Sequence, residues 1–147
     1  MKQRILFVGV HNDARSQMAE AFLNAAFPAR FETHSAGLDP ARMNPLVVEA
    51  MREIGFDISQ KKSESVFDFI NRGEHFDYII SVCDEASDER CPAFPGANTR
   101  LHWGFADPSI YQGSREEKLA FMRHVRDEIK GQISNWCDEQ RGCMAVA

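Results

Sequence analysis

Residues 5–20 read Ile-Leu-Phe-Val-Gly-Val-His-Asn-Asp-Ala-Arg-Ser-Gln-Met-Ala-Glu. Ile5–Val8 is a short continuous apolar run, the pattern of a strand buried on both faces. A brief loop follows, ends at Arg15-Ser16 and opens a helix in which Met18 and Phe22 recur at helical spacing. A strand, a tight loop and a helix in that order begin a βαβ unit, and such units build parallel sheets. Gly9 suits the torsions of the tight turn. Successive N–H groups in such a loop form a concave nest, and the helix N-terminus behind it adds partial positive charge. Arg15 brings a planar fork that grips two oxygens of a tetrahedral anion. The stretch predicts a site for phosphate, arsenate or sulfate, with Val10, His11, Asn12, Asp13, Ala14 and Arg15 around the anion.

Outward from this loop, apolar runs keep alternating with helical patterns. The first strand is expected over Arg4–Val10 and the first helix over about Ser16–Phe27, with Met18, Phe22 and Ala25 on its buried face and Pro28 as its stop. A second strand, Phe31–Ser35, ends at Gly37. Asn44-Pro45 reads as an N-cap with proline at the first helical position; Val47 or Val48, Met51 and Ile54 face inward, and Gly55 ends the helix. A short helical segment near Ser65–Asn71 precedes a third strand, Tyr78–Val82. A polar loop from Cys83 to Asn98 leads to a fourth strand near Arg100–Trp103. Ser114 and Glu117 form a capping box before the clearest helix, in which Leu119, Met122, Val125, Ile129, Ile133 and Trp136 recur at spacings of three and four. The tail Gln140–Ala147 is expected to fray. The expected architecture is α/β and three-layered, with a four-stranded parallel sheet and helices on both faces, in one domain spanning residues 1–147.

Composition narrows the function classes. The formal charge of −5, without a lysine-arginine block, gives nucleic acid no electrostatic footprint. No apolar run is long enough to span a membrane, and Met-Lys-Gln-Arg leads into a strand rather than a secretory signal. A cytoplasmic location is expected, where Cys83, Cys91, Cys137 and Cys143 are not expected to build a static disulfide framework. Cys83-x7-Cys91 lies in a loop rich in Asp, Glu, Ser and Pro. A zinc knuckle would need tighter spacing and further ligands nearby, which leaves a redox pair or two unrelated thiols. Cys137 adjoins the apolar face of the last helix and reads as packing, whereas Cys143 carries no visible role. His34, His75 and His124 read as surface or hydrogen-bonded histidines, and His102-Trp103 as packing beneath the loop.

Phe7-Val8, Val10-His11-Asn12 and Arg15 through Glu20 resemble the low-molecular-weight tyrosine phosphatase superfamily in its thioredoxin-coupled arsenate reductase branch. Ser35-Ala36-Gly37, Val82-Cys83-Asp84 with Cys91-Pro92, Phe94-Pro95-Gly96, and His102-Trp103 with Asp107-Pro108 extend the resemblance to nearly the whole chain. It implies a thiol relay. A loop cysteine attacks arsenate while Arg15 and the loop amides stabilise the oxyanion and Ser16 supports the thiolate. Asp107 protonates the departing oxygen. Cys83 attacks the arseno-cysteine adduct, Cys91 resolves the resulting disulfide, and thioredoxin restores the dithiol. The resemblance also implies a potassium ion held by Asn12, Glu20, Ser35 and Glu64, with Glu64 standing where aspartate is usual; other cofactors are not implied.

The chain departs from the family pattern where it matters most, because Gly9 stands in the place of the loop cysteine. No other loop residue substitutes for that nucleophile, and losing it from a covalent mechanism costs many orders of magnitude. The anion cradle is untouched, and removing a thiolate removes a like charge facing the anion. Three readings follow: a reductase-type chain impaired at Gly9, a non-catalytic phosphate or arsenate binder, and a tyrosine phosphatase-like protein. The last is disfavoured by the Cys83/Cys91 pair and by Ser109-Ile110-Tyr111 after the Asp-Pro.

Overall fold

The apolar run Ile5–Val8 becomes a central strand because both of its faces are covered. Ile5 and Phe7 look into one core, Leu6 and Val8 into another, and all four are at most 1% exposed. The computed structural model describes residues 2–83 and 94–146, with side chains described through residue 140. Its strands are β1 (Gln3–Gly9), β2 (Phe31–Gly37), β3 (Tyr78–Cys83) and β4 (Thr99–Phe105). They form one parallel sheet in the order β2-β1-β3-β4. Gly9 pairs with Gly37 and Val8 with Ser81, so the carboxyl ends of β1, β2 and β3 share one edge.

Helices α1 (Arg15–Ala26), α2 (Pro45–Arg52) and α4 (Arg115–Val146) pack on the Ile5/Phe7 face. The short helix α3 (Val66–Asn71) covers the Leu6/Val8 face together with Phe76 and Phe94. Trp136 of α4 ties its layer to the sheet, with ring centroids 5.3 Å from Phe31, 5.2 Å from Tyr78 and 6.0 Å from Trp103. No helix among the described residues is long and apolar enough to cross a membrane.

The caps behave as their side chains dictate. Asn44 Oδ1 accepts from Leu46 N at 2.9 Å, and Ser114 and Glu117 exchange reciprocal bonds of 3.1 Å. Strand and helix ends differ from expectation by a residue or two; β1 stops at Gly9, and α1 starts at Arg15 and stops at Ala26. Two departures have physical causes. Ala25 is exposed while Leu23 is fully buried, because the last turn of α1 opens onto a groove shared with Lys130 and Ile133 of α4. The tail expected to fray continues α4 to Val146, since no proline interrupts it.

Gly37 is required by close approach. A Cβ there would lie 2.9 Å from both the His11 carbonyl carbon and the Val10 carbonyl oxygen, which are backbone atoms of the first loop. Gly37→Ala is therefore expected to cost about 1–3 kcal/mol, the usual penalty for overpacking a site that cannot relax. A urea titration would show it as a lowered midpoint at unchanged slope.

Candidate functional site

The β2-β1-β3-β4 order puts a topological switch point between β1 and β3, the place where open α/β sheets leave a crevice at the carboxyl ends of the strands. Residues 10–14 cross that crevice from β1 to α1. Every carbonyl along the turn is turned away from it. Gly9 O accepts from Leu38 N at 3.1 Å, Val10 O from Asp39 N at 2.7 Å and His11 O from Ala41 N at 2.9 Å. Asn12 O accepts from Ser63 Oγ at 2.9 Å and Asp13 O from Asn44 N at 3.1 Å. In a trans peptide the N–H points opposite to the C=O, so the amides of residues 10–14 face the concave side. Ala14, which caps α1, offers no side-chain acceptor, and this leaves the first helical N–H groups to an anion.

Asn12 makes the turn possible. It is the one described non-glycine residue at positive φ, 55°, a conformation asparagine tolerates better than most. Its Nδ2 donates to Ser16 Oγ at 2.7 Å, and its Oδ1 accepts from Gln17 Nε2 at 3.1 Å and Glu64 N at 2.9 Å. Arg15 is 5% exposed; its Nη1 donates to Phe105 O at 2.9 Å and its Nη2 lies 3.6 Å from Asp107 Oδ2. Asp107 Oδ1 accepts from Ser109 N at 2.9 Å and caps a single 3-10 turn, Pro108–Ile110. The guanidinium and the carboxylate expected to act as an acid thus stand together at the mouth of the loop.

Two loop side chains take rim positions. Asp13 Oδ2 accepts from Ser109 Oγ at 3.0 Å, and Ser109 Oγ in turn accepts from Asn44 Nδ2 at 3.0 Å. The Asp13 carboxylate is thereby tied to the Asp107 turn, and its residue can serve the anion through the backbone. His11 Nδ1 lies 2.8 Å from Asp39 O and must carry the proton there, because a carbonyl only accepts.

Gly9 does not use glycine's freedom. Its φ lies outside the left-handed region, and a Cβ built on it would meet Ser16 Oγ at 3.2 Å, Ser16 Cβ at 3.6 Å and Asn12 N at 3.9 Å. Glycine suits this position without being required by it: Asn12 supplies the left-handed residue, and the close backbone approach falls at Gly37. A side chain at position 9 would project toward the Ser16 hydroxyl at the start of α1.

Cys83 ends β3 on the strand beside Gly9 and is 2% exposed. Cys91, Asp84 and Pro92 lie outside the described residues, as does the Cys143 side chain. Cys137 packs in the α4 core at 3% exposure, and burial pushes its thiol up. Ser81 Oγ and His102 Nδ1 are 2.5 Å apart, while Trp103 packs against Phe7 with ring centroids 6.0 Å apart. Ser35 Oγ donates to Glu20 Oε1 at 2.7 Å, and Glu20 Oε2 pairs with the Lys61 ammonium. The Glu64 side chain is exposed, and its backbone carbonyl accepts from Gly37 N at 2.8 Å. Ser63, Asn44, Ser109 and Lys61 carry parts of the site that sequence reasoning did not assign to it. Asn44 had a visible role as a helix cap; the others had no local signal.

A family model described as low molecular weight phosphotyrosine protein phosphatase matches residues 4–142. The chain is 38% identical over 135 residues to an arsenate reductase of Bacillus subtilis (strain 168), covering 91% of this chain and 94% of that protein. A solved structure described as an arsenate reductase in the phosphate binding state superposes with a TM-score of 0.75 at 26% identity, covering 93% of this chain and 98% of that one. The thioredoxin-dependent arsenate reductase of Corynebacterium glutamicum gives a TM-score of 0.71 at 29% identity, over 96% of this chain and 63% of that chain.

Proposed function

The chain belongs to the low molecular weight phosphotyrosine protein phosphatase family, with arsenate reductases among its relatives, and we propose that it binds arsenate or phosphate in the loop Gly9–Arg15 without turning arsenate over. The observation that carries this reading is the loop itself. Five consecutive carbonyls, from Gly9 to Asp13, are held outward by hydrogen bonds, and the loop ends at the buried Arg15. Nothing in that cradle depends on a side chain at position 9.

Turnover does depend on one. In the thiol relay the attacking sulfur must form a bond to arsenic as an arsenate oxygen leaves, and Gly9 offers no atom for it. Cys83 ends the neighbouring strand, and Asp107 sits 3.6 Å from Arg15; both observations support a second thiol and an acid near the loop. Thioredoxin enters this reading as the reductant of a Cys83–Cys91 dithiol, a step that follows the missing attack and is idle without it. A tetrahedral oxyanion, arsenate or phosphate, is the ligand in this reading.

Calorimetric titration tests the binding half. Phosphate and arsenate are expected to compete for one site with dissociation constants of about micromolar to millimolar, roughly −4 to −8 kcal/mol. Parallel assays with thioredoxin and its reductase are expected to release no arsenite above a blank without the protein. Absence of heat with both anions at millimolar concentration would refute the binding half, and sustained arsenite release would refute the other.

A further inference from the structure

The Glu20 carboxylate is the buried acid beneath the loop. Its side chain is 5% exposed, Oε1 accepts from the Ser35 hydroxyl at 2.7 Å, and Oε2 pairs with the ammonium of Lys61. The residues that the family resemblance assigns to a potassium ion do not fit one here. A hard cation takes several oxygen donors at once, yet the lone pairs of Asn12 Oδ1 already receive Gln17 Nε2 and Glu64 N. The Glu64 carbonyl receives Gly37 N and its carboxylate is exposed.

We propose that Lys61 is a built-in replacement for that cation: its ammonium supplies the positive charge that buried Glu20 requires, and the fold is thereby independent of potassium. A carboxylate this deeply buried is destabilising unless it is paired, and removing its partner leaves an uncompensated charge. Lys61 is placed for the task by its own segment. Its backbone N–H donates to Ile58 O at 3.1 Å, and the residues after it hold the loop. Gln17 Nε2 donates to Lys62 O at 3.2 Å, Ser63 Oγ to Asn12 O at 2.9 Å and Glu64 N to Asn12 Oδ1 at 2.9 Å. The segment that clamps left-handed Asn12 therefore also carries the cation for Glu20. Lys61 is a positioning residue: it touches no anion, and it ties residues 61–64 to α1 and, through Glu20, to Ser35 of β2.

Thermal unfolding of the full chain in potassium chloride and in tetramethylammonium chloride at equal ionic strength tests it. The unsubstituted chain is expected to melt at the same temperature in both salts, within about 1 °C, and Lys61→Arg is expected to behave likewise. Lys61→Ala is expected to melt roughly 3–6 °C lower in both salts, because Asn12 Oδ1 and the Glu64 carbonyl stay engaged and do not suit potassium once the ammonium is gone. Adding Glu20→Gln to Lys61→Ala removes the charge to be balanced and should restore at least half of the loss; this arm decides the matter even if the single variant fails to fold. Selective stabilisation of the unsubstituted chain by potassium overturns the proposal. So does a Lys61→Ala midpoint that is unchanged in both salts, or a loss that Glu20→Gln does not relieve.

Discussion

Gly9→Cys is expected to raise thioredoxin-dependent arsenate reduction by at least about a thousandfold over the parent chain, since it supplies the nucleophile of a covalent mechanism. Three features of the site favour this outcome. The backbone at position 9 is one that any L-residue adopts, so no left-handed strain opposes the substitution. The nearest atom to the new Cβ is Ser16 Oγ at 3.2 Å, a contact relieved by a shift of a few tenths of an ångström in a side chain. Ser16 Oγ already accepts from Asn12 Nδ2 at 2.7 Å, which leaves its own proton to donate toward the new sulfur. A thiolate beneath the amide nest at a helix N-terminus is stabilised relative to the thiol.

In the proposed relay the chemistry then balances with thioredoxin as the two-electron reductant. The introduced sulfur bonds to arsenic as an oxygen departs with a proton from Asp107. Cys83 attacks that sulfur, a disulfide forms, and the electron pair of the breaking S–As bond leaves on arsenic as arsenite. Cys91 attacks the disulfide and thioredoxin reduces the resulting Cys83–Cys91 bond. Stability should change by less than about 1 kcal/mol, as for a small side chain entering available space. Gly9→Ser is the matched control and should fold and bind phosphate while remaining inactive. An inert Gly9→Cys protein that still binds phosphate would place a second lesion elsewhere in the relay.

Arg15→Ala is expected to weaken phosphate binding by about two to three orders of magnitude, roughly 3–4 kcal/mol. The guanidinium is 5% exposed and oriented by Phe105 O at 2.9 Å and by Asp107 Oδ2 at 3.6 Å, so it would meet an anion in a desolvated setting. Arg15→Lys should recover little of the loss. An ammonium cannot reach the Phe105 carbonyl while presenting a planar fork to two anion oxygens. Calorimetry with phosphate, run beside a urea titration, separates lost affinity from lost folding. Affinity within tenfold of the parent in a folded Arg15→Ala protein would show that the amide nest alone carries the anion.

Much of the fold was legible because its signals are local. Ile5–Val8 is apolar without alternation since both faces are covered, and Ser114 with Glu117 marked the start of α4 through bonds between near neighbours. The loop was legible for the same reason: Arg15 and the strand-loop-helix order are contiguous. The burial of Ala25 was misjudged because helical spacing fixes a face of α1 but not where α4 ceases to cover it. The orientation of Asp13 toward Ser109 and the grip of Ser63 on Asn12 had no local signature. Each joins segments far apart in the chain, and backbone groups that bond across such distances leave no mark on residue type.

By itself the sequence determined what chemistry is present: a guanidinium at position 15, an acid at 107, thiols at 83 and 91, and no nucleophile at 9. Side-chain type is written residue by residue, so a missing atom is visible without coordinates. Only the tertiary structure decided which way the loop carbonyls turn, that position 9 has room for a side chain, and that Lys61 meets buried Glu20. Those facts belong to the packing of residues 37–44 and 58–64 against the loop, and contacts between distant segments exist only once the chain has closed around its core.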